Sequence, residues 1–251
     1  MPYVNKEYKL DEYFILWWIF MEQQEENKIT DKYYNHLKPH KLPEGDIDLF
    51  ALSGQRRNEA IVGGEDKDWY AYCTGYWRAA DVLVDHLVQS DLLERHDYSE
   101  HWESIAYSIL YLYRHHLELR LKQLFIACEG ILETIKNEHS LLMLWRIFYE
   151  RYEKFCKEYN LNSEELSEEN FRDINVVEKI ITQFDEIDKN SQKLRYPVDK
   201  VGKVSLPPMK IDMVHLREIL GWANQFLDGW SCGIYECWQA ELANRDAARH
   251  S

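Results

Sequence analysis

The chain has 251 residues, of which 45% are hydrophobic and 14% aromatic, enough to bury one sizeable core. Its 30 basic and 44 acidic residues give a formal net charge of -14, so the average surface repels nucleic acid and acidic membranes, and any nucleic-acid contact must be local. Five cysteines without a CxxC pair argue against a disulfide framework or a zinc knuckle, and they predict reduced core thiols and a cytoplasmic location.

Residues 1–65 are predicted to form a small N-terminal appendage of mixed structure, ahead of a helical domain at 66–251. Glycine and proline punctuate this segment in KLPEGD and LSGQRRNEAIVGGED. Its longest apolar run, YFILWWIFM at 13–21, is too short to span a bilayer and fits either a strand or a buried helix. The N-terminus lacks a basic region and a small-residue cleavage site, so we expect neither an export signal nor a membrane contact.

From residue 66 onward the pattern is helical, because apolar residues recur at three- and four-residue spacing. We place helices at 66–90, 100–129, 139–159, 170–193 and 210–229, with a shorter one ending the chain. Gly130, the acidic stretch NLNSEELSEE at 160–169 and SLPP at 205–208 separate them. Short connections favour antiparallel neighbours, so the predicted fold class is all-α, an antiparallel helical bundle.

The segment YLYRHHLELRLKQLF at 111–125 is predicted to be the central helix of this bundle. On a helical wheel of about 100° per residue its apolar side chains form two nearly opposite stripes. The first stripe contains Leu110, Leu117, Leu121, Leu124 and Cys128, and the second contains Leu112, Leu119 and Ile126. A helix that is apolar on two sides packs against neighbours on both, so the residues between its stripes should be at least partly buried.

Charged residues lie between these stripes on one flank of the helix. Arg114, Glu118 and Lys122 follow each other at i, i+4 and i+8, with His115 beside them, and we call these three residues the polar ladder. Burying such charges costs several kcal/mol per ion unless partners compensate. The ladder is therefore either a structural ion network completed by neighbouring helices or the lining of a functional cleft. On the other flank, His116 and Arg120 are expected to face solvent.

Two further sites adjoin the predicted helix ends. Pro197 forces Tyr196 out of the helical region, so Arg195 with Asp188 and Ser191 either completes a polar cluster around Glu118 or belongs to a capped helix end. His139 precedes a helix start and is either a packing residue or a proton carrier, with packing favoured. No ExxH pair and no HExxH motif is present, so we predict no metal and no cofactor.

The strings LYRHHLELRLKQL, HSLLMLW at 139–145 and DEIDKNSQKLRYPVDKVGKVSLP at 185–207 resemble a widespread group of bacterial proteins. That group is similar in turn to the HEPN superfamily (higher eukaryotes and prokaryotes nucleotide-binding), and the resemblance covers about residues 66–230. It implies an antiparallel bundle that forms homodimers and serves in toxin–antitoxin or phage-defence systems. Many members of the superfamily cut RNA without a metal.

The chain departs from the superfamily's signature for RNA cleavage, which is an arginine followed after four to six residues by a histidine. Arg114 is followed directly by His115 and His116, and by no histidine at the required distance. Arg95 with His101 and Arg245 with His250 match the spacing, yet about one or two such matches are expected by chance.

The sequence thus predicts a HEPN-like protein of a bacterial defence, toxin or stress system that recognises RNA or a nucleotide at the polar ladder, and it leaves open whether the protein also cleaves RNA without a metal. Arginine would stabilise phosphate charge, histidine would transfer the proton and Glu118 would orient the bases. The candidate catalytic residues are Arg114, His115, Glu118, His139 and Arg195, and the candidate binding residues are Lys122, Asp188, Ser191 and Tyr196. The alternative is a non-catalytic module for dimerisation or a protein partner, in which the ladder fixes helix register.

Overall fold

The computed structural model describes residues 60, 69–92, 99–159 and 168–249. Six helices cover most of these ranges: α1 (Trp69–Leu92), α2 (Ser99–Ala127), α3 (Leu132–Ile135), α4 (Leu141–Glu158), α5 (Glu168–Ile187) and α6 (Met213–Arg249). Across the same ranges there is no strand, and a single antiparallel bridge joins Val198 to Val204. The all-α class is confirmed for this part of the chain, while the predicted appendage at 1–65 lies outside it apart from residue 60.

Helix α2 is the central element of the described fold, as its two apolar stripes predict. It packs against α1, α4 and α6, and α6 also contacts α1 and α5. The first stripe is fully buried through Leu110, Leu117, Leu121 and Leu124, and the second is half-buried. Burying a leucine side chain contributes about 1.5–3 kcal/mol, so the first stripe anchors α2 in the core. Within the described ranges, no helix is both long enough and apolar enough to cross a bilayer.

Helix α2 ends in a Schellman-type turn that leads the chain toward the polar ladder. The backbone N–H of Gly130 donates to the Phe125 carbonyl at 2.9 Å, and that of Glu129 donates to the Ile126 carbonyl at 2.9 Å. Glu129, not the glycine, takes the left-handed conformation, with φ of 61°. Gly130 is needed for space, because a Cβ there would overlap the ring and the carbonyl oxygen of Phe125. The short helix α3, which the sequence pattern did not predict, follows this turn.

Helix α5 ends at Ile187, six residues before the predicted boundary of 193. The carboxylate of Asp188 accepts hydrogen bonds from the backbone N–H groups of Gln192, Lys193 and Leu194, at 2.8, 3.0 and 3.2 Å. These bonds replace the helical ones, so the chain turns around a single acidic side chain. The predicted helix end was wrong because no proline or glycine lies between 188 and 193, and the hydrogen bonds of the Asp188 side chain that stop the helix are not visible in apolar spacing.

Helix α6 runs unbroken through the region where two helices were predicted. Gly229 and Gly233 lie inside it, and each costs about 1 kcal/mol relative to alanine. Burial of Leu227 and Ile234, together with stacking of Trp230 on Trp145 at 5.6 Å, offsets that cost. The cysteines of the described ranges are free thiols, and Cys232 is exposed rather than in the core as predicted.

Candidate functional site

The polar ladder is almost fully removed from water. Arg114 is 0% exposed, Glu118 3% and Lys122 5%. The Nη1 of Arg114 donates to Oε2 of Glu118 at 2.8 Å, and the Nζ of Lys122 donates to Oε1 at 3.0 Å. The predicted burial is therefore confirmed, and the central carboxylate lies between two cations on its own helix.

Segments outside α2 supply the remaining partners of the ladder. The Nε of Arg114 donates to the Asp188 carbonyl at 2.9 Å and lies 3.9 Å from its carboxylate, while Nη2 donates to the His139 carbonyl. Lys122 also donates to the Lys136 carbonyl at 3.3 Å. Arg114 thus ties the end of α5 and the start of α4 to the central helix. All three of its nitrogens are engaged, so its position does not suit contact with a ligand.

Glu118 is an ionised carboxylate at neutral pH despite its burial. Burial alone would raise its pKa, and it is the largest single effect. The hydrogen bond from Arg114, the charge of Lys122 and the hydrogen bond from His139 together outweigh it and hold the pKa below the ordinary value. An ionised carboxylate only accepts hydrogen bonds, so His139 must be the donor in their contact.

His139 carries the exposed end of this network. Its Nδ1 lies 2.9 Å from Oε1 of Glu118, and its side chain is 50% exposed. The backbone is held on both sides: Glu138 accepts from the N–H groups of His139 and Ser140 at 2.8 and 2.7 Å, and Ser140 caps α4 through Met143. This exposure does not fit the packing role that the sequence favoured. Since Nδ1 donates to the carboxylate, Nε2 is the nitrogen that can exchange a proton with a ligand.

His115 lies beside the ladder among aromatic rings. Its ring meets the edge of Tyr76 at 4.5 Å and stacks on Tyr111 at 5.6 Å with an interplanar angle of 7°. Burial lowers the pKa of His115, and the cations of Arg114, Lys122 and Arg195 lower it further against the opposing charge of Glu118. Its Nδ1 is buried and has no hydrogen-bond partner among the described residues. His115 is thus a neutral imidazole at neutral pH.

Arg195 and Tyr196 form the exposed edge next to His115. The guanidinium carbon of Arg195 lies 6.0 Å from the ring centre of Tyr111 and 5.3 Å from that of Tyr196. Arg195 is exposed, and it forms no ion pair with an acidic residue of the described ranges. Tyr196 is 50% exposed, whereas Ser191 is buried in the turn around Asp188 with φ of 56°. Among Arg114, Lys122 and Arg195, Arg195 is therefore the cation that a ligand can reach.

The expectation that His116 and Arg120 face solvent was wrong. His116 is buried, with Nδ1 2.8 Å from the Cys73 carbonyl on α1 and Nε2 2.8 Å from Oδ1 of Asn224 on α6. Arg120 is buried and pairs with Asp228 on α6. Helices α1 and α6 cover this flank of α2, and nothing in the local sequence of α2 indicates which elements do so.

The structure brings most of the predicted site residues together. Arg114, Glu118, Lys122, His139 and Asp188 form one hydrogen-bonded network, and His115, Arg195 and Tyr196 adjoin it. Sequence reasoning missed Tyr111, although its i, i+4 spacing to His115 on one helix was a usable signal. The motif matches Arg95–His101 and Arg245–His250 fall on residues or side chains outside those described. Among the described residues, no group of three or more His, Cys, Asp or Glu side chains is arranged to hold a metal.

Comparisons with protein families, with curated proteins and with solved structures find no match to this chain. The resemblance to the HEPN superfamily is therefore a prediction from the sequence motifs.

Proposed function

We propose that this chain is a HEPN-like protein that recognises RNA or a nucleotide beside the polar ladder and cleaves RNA without a metal, with His139 as the proton carrier. The observation that carries the proposal is the pair of a half-exposed imidazole and a buried, ionised carboxylate, His139 and Glu118. The motif resemblance adds four further parts to the proposal. They are the antiparallel bundle, the homodimer, the cytoplasmic setting and the role in defence or toxin–antitoxin systems.

The chemistry begins with the tautomer of His139. Glu118 holds the proton on Nδ1, so the lone pair of Nε2 can take the proton of a ribose 2′-hydroxyl. The 2′-oxygen then attacks the adjacent phosphorus, the bond from phosphorus to the 5′-oxygen breaks, and the imidazolium returns its proton to that leaving oxygen. The products are a 2′,3′-cyclic phosphate and a free 5′-hydroxyl. Glu118 stabilises the imidazolium in between, as a buried carboxylate behind a catalytic histidine does.

Arg195 is the better of the two arginine candidates for the phosphate. Its guanidinium is exposed and lies over two tyrosine rings, whereas that of Arg114 is buried and has its donors engaged. A guanidinium stabilises the charge that develops on the phosphorane oxygens. Arg114 and Lys122 are positioning residues in this scheme, because they hold Glu118 in place behind His139.

The experiment is cleavage of single-stranded RNA by the purified protein with a chelator present. We expect activity in the wild type and a loss of about 100-fold or more in His139→Ala, the usual contribution of a general acid or base. His215→Ala is the matched control, because His215 is an exposed histidine near the start of α6. Equal activity of His139→Ala and wild type removes His139 from catalysis, and inactivity of the wild type on RNA refutes the cleavage.

A second candidate is the non-catalytic interaction module. It is favoured by the complete burial of Arg114, since every charge of the ladder finds a protein partner and needs no ligand. Exposed aromatic residues such as Tyr70, Tyr72 and Tyr235 would then contact a partner chain. This candidate is supported over the first if the protein neither binds nor cuts RNA. It also requires that association with the partner chain is lost when these tyrosines are replaced by serine.

A further inference from the structure

The segment 189–203, which we call the basic loop, has a charge opposite to that of the whole chain. It contains five basic residues and one acidic residue, in a protein whose formal net charge is -14. The basic residues are Lys189, Lys193, Arg195, Lys200 and Lys203, and all of them are exposed. None forms an ion pair with an acidic residue of the described ranges. The basic loop is therefore a local positive surface.

The single acidic side chain of the basic loop is occupied by the backbone. Asp199 accepts hydrogen bonds from the N–H groups of Val201 and Lys203, both at 2.9 Å. Its own N–H donates to the Lys203 carbonyl at 2.8 Å, and Gly202 closes the turn with φ of 81°. These bonds, with the carboxylate of Asp188 at the other end, hold the loop in one conformation. Because the backbone of the loop is already ordered, a ligand that binds its lysines causes a smaller loss of conformational entropy, which favours affinity.

The basic loop also places a planar surface beside its cations. Tyr196 is half-exposed and lies against the guanidinium of Arg195, which reaches Tyr111 and so the rings around His115. Cations that follow a phosphate backbone, together with an aromatic ring that accepts a base, are the combination by which proteins bind single strands. A base paired in a duplex cannot stack on such a ring.

We propose that the basic loop is the binding surface for a single-stranded polynucleotide, with its lysines on the phosphates and Tyr196 against an unpaired base. The proposal rests on the function proposed above, because it names where the substrate of that site lies. At an ionic strength near 0.1 M the screening length is about 10 Å, so acidic residues farther away than that contribute little to the potential at the basic loop. An acidic membrane surface is the competing ligand, since Val201 is 87% exposed between the lysines.

The test is binding, measured by fluorescence anisotropy of a short labelled single-stranded RNA and the DNA of the same sequence over a range of salt concentrations. The loop variant is Lys193→Glu with Lys200→Glu. The matched control is Lys154→Glu with Lys157→Glu, which makes the same change of net charge on exposed lysines of α4. Duplex of the same sequence and vesicles rich in phosphatidylserine are the competing ligands.

We expect the wild type to bind both single strands, and the loop variant to bind them about 10-fold or more weakly. The slope of log affinity against log salt concentration should become shallower by about 1.4. Each of the two lost phosphate contacts accounts for about 0.7 of that slope on a single strand. The control should bind as the wild type does. Tyr196→Ala should weaken binding roughly 5- to 100-fold, the usual effect of losing one stacked base, with the salt slope unchanged.

The proposal is overturned if the loop variant and the control weaken equally, if duplex binds as tightly as single strand, or if only vesicle binding depends on the lysines. DNA lacks the 2′-hydroxyl and cannot be cleaved by the scheme above, so its binding reports on the loop alone. A protein that binds DNA and RNA through the loop but cuts neither retains this surface and contradicts the ribonuclease function.

Discussion

Arg114→Met tests whether the polar ladder is a structural network. Methionine keeps the length and apolar body of the side chain but removes its charge and its donors. Glu118, 3% exposed, then loses the partner at 2.8 Å, and the carbonyls of Asp188 and His139 each lose a hydrogen bond. The turn after α5 and the start of α4 are both released from α2 by one substitution.

The expected loss of stability follows from the partners that remain. Removing one side of a buried ion pair costs about 3–5 kcal/mol. Lys122 and His139 still donate to Glu118, so we expect the lower end, about 3 kcal/mol. For a chain of this length, that lowers the melting temperature by about 6–12 °C.

The assay is urea unfolding followed by far-ultraviolet circular dichroism. Arg78→Met is the control, because Arg78 is an exposed arginine of α1 and its replacement should change the free energy of unfolding by less than about 0.5 kcal/mol. Arg114→Lys keeps the charge without the planar fork and should fall between the wild type and the methionine variant. If Arg114→Met is as stable as the wild type, or more so, the ladder is not what holds these segments together.

Two further predictions concern pH and space. The pKa of Glu118 is lower in the folded protein than its ordinary value of 4.5, so this carboxylate contributes stability above that pH, and the contribution is lost as the pH falls through the folded pKa. In Glu118→Gln the free energy of unfolding should therefore fall less steeply as the pH is lowered. The same steepness in this variant and in the wild type would contradict the lowered pKa of Glu118. Gly130→Ala should destabilise by about 1–3 kcal/mol because the new methyl group overlaps Phe125, and a melting temperature equal to that of the wild type would show that the turn has room.

The central helix and its ladder could be predicted because their geometry is local. The spacing of the leucines sets the buried faces of α2, and the i, i+4 spacing of Arg114 and Glu118 brings their charges into contact on any helix. One of the two interpretations of Asp188 also placed it in the polar cluster around Glu118, since Pro197 implied that a helix ends nearby.

The opposite flank of α2 could not be predicted in the same way. His116 and Arg120 are buried because α1 and α6 cover them, and the partner Asn224 lies 108 positions from His116 along the chain. The same limit applies to the unbroken course of α6 through Gly229, which depends on packing against other helices. Burial of a polar residue is a property of the assembled bundle, whereas helical spacing is a property of one segment.

The position of His139 shows how the buried and exposed parts of the site depend on each other. The residue is half-exposed, but its orientation is set by Glu118, and Glu118 is held by Arg114 and Lys122 in the core. The charges that looked costly in the sequence thus orient the imidazole that we propose as the proton carrier. The chemistry assigned to the site depends on this one contact.

The most direct test of that contact is the tautomer of His139, read from nitrogen-15 and proton correlation spectra of the histidine-labelled protein at a pH where the ring is neutral. His139→Ala assigns the signals. We predict a proton on Nδ1, which donates a hydrogen bond to Glu118, and no proton on Nε2. A proton mainly on Nε2, as in free histidine, would contradict the carboxylate's hold on the ring and with it the proposed general base.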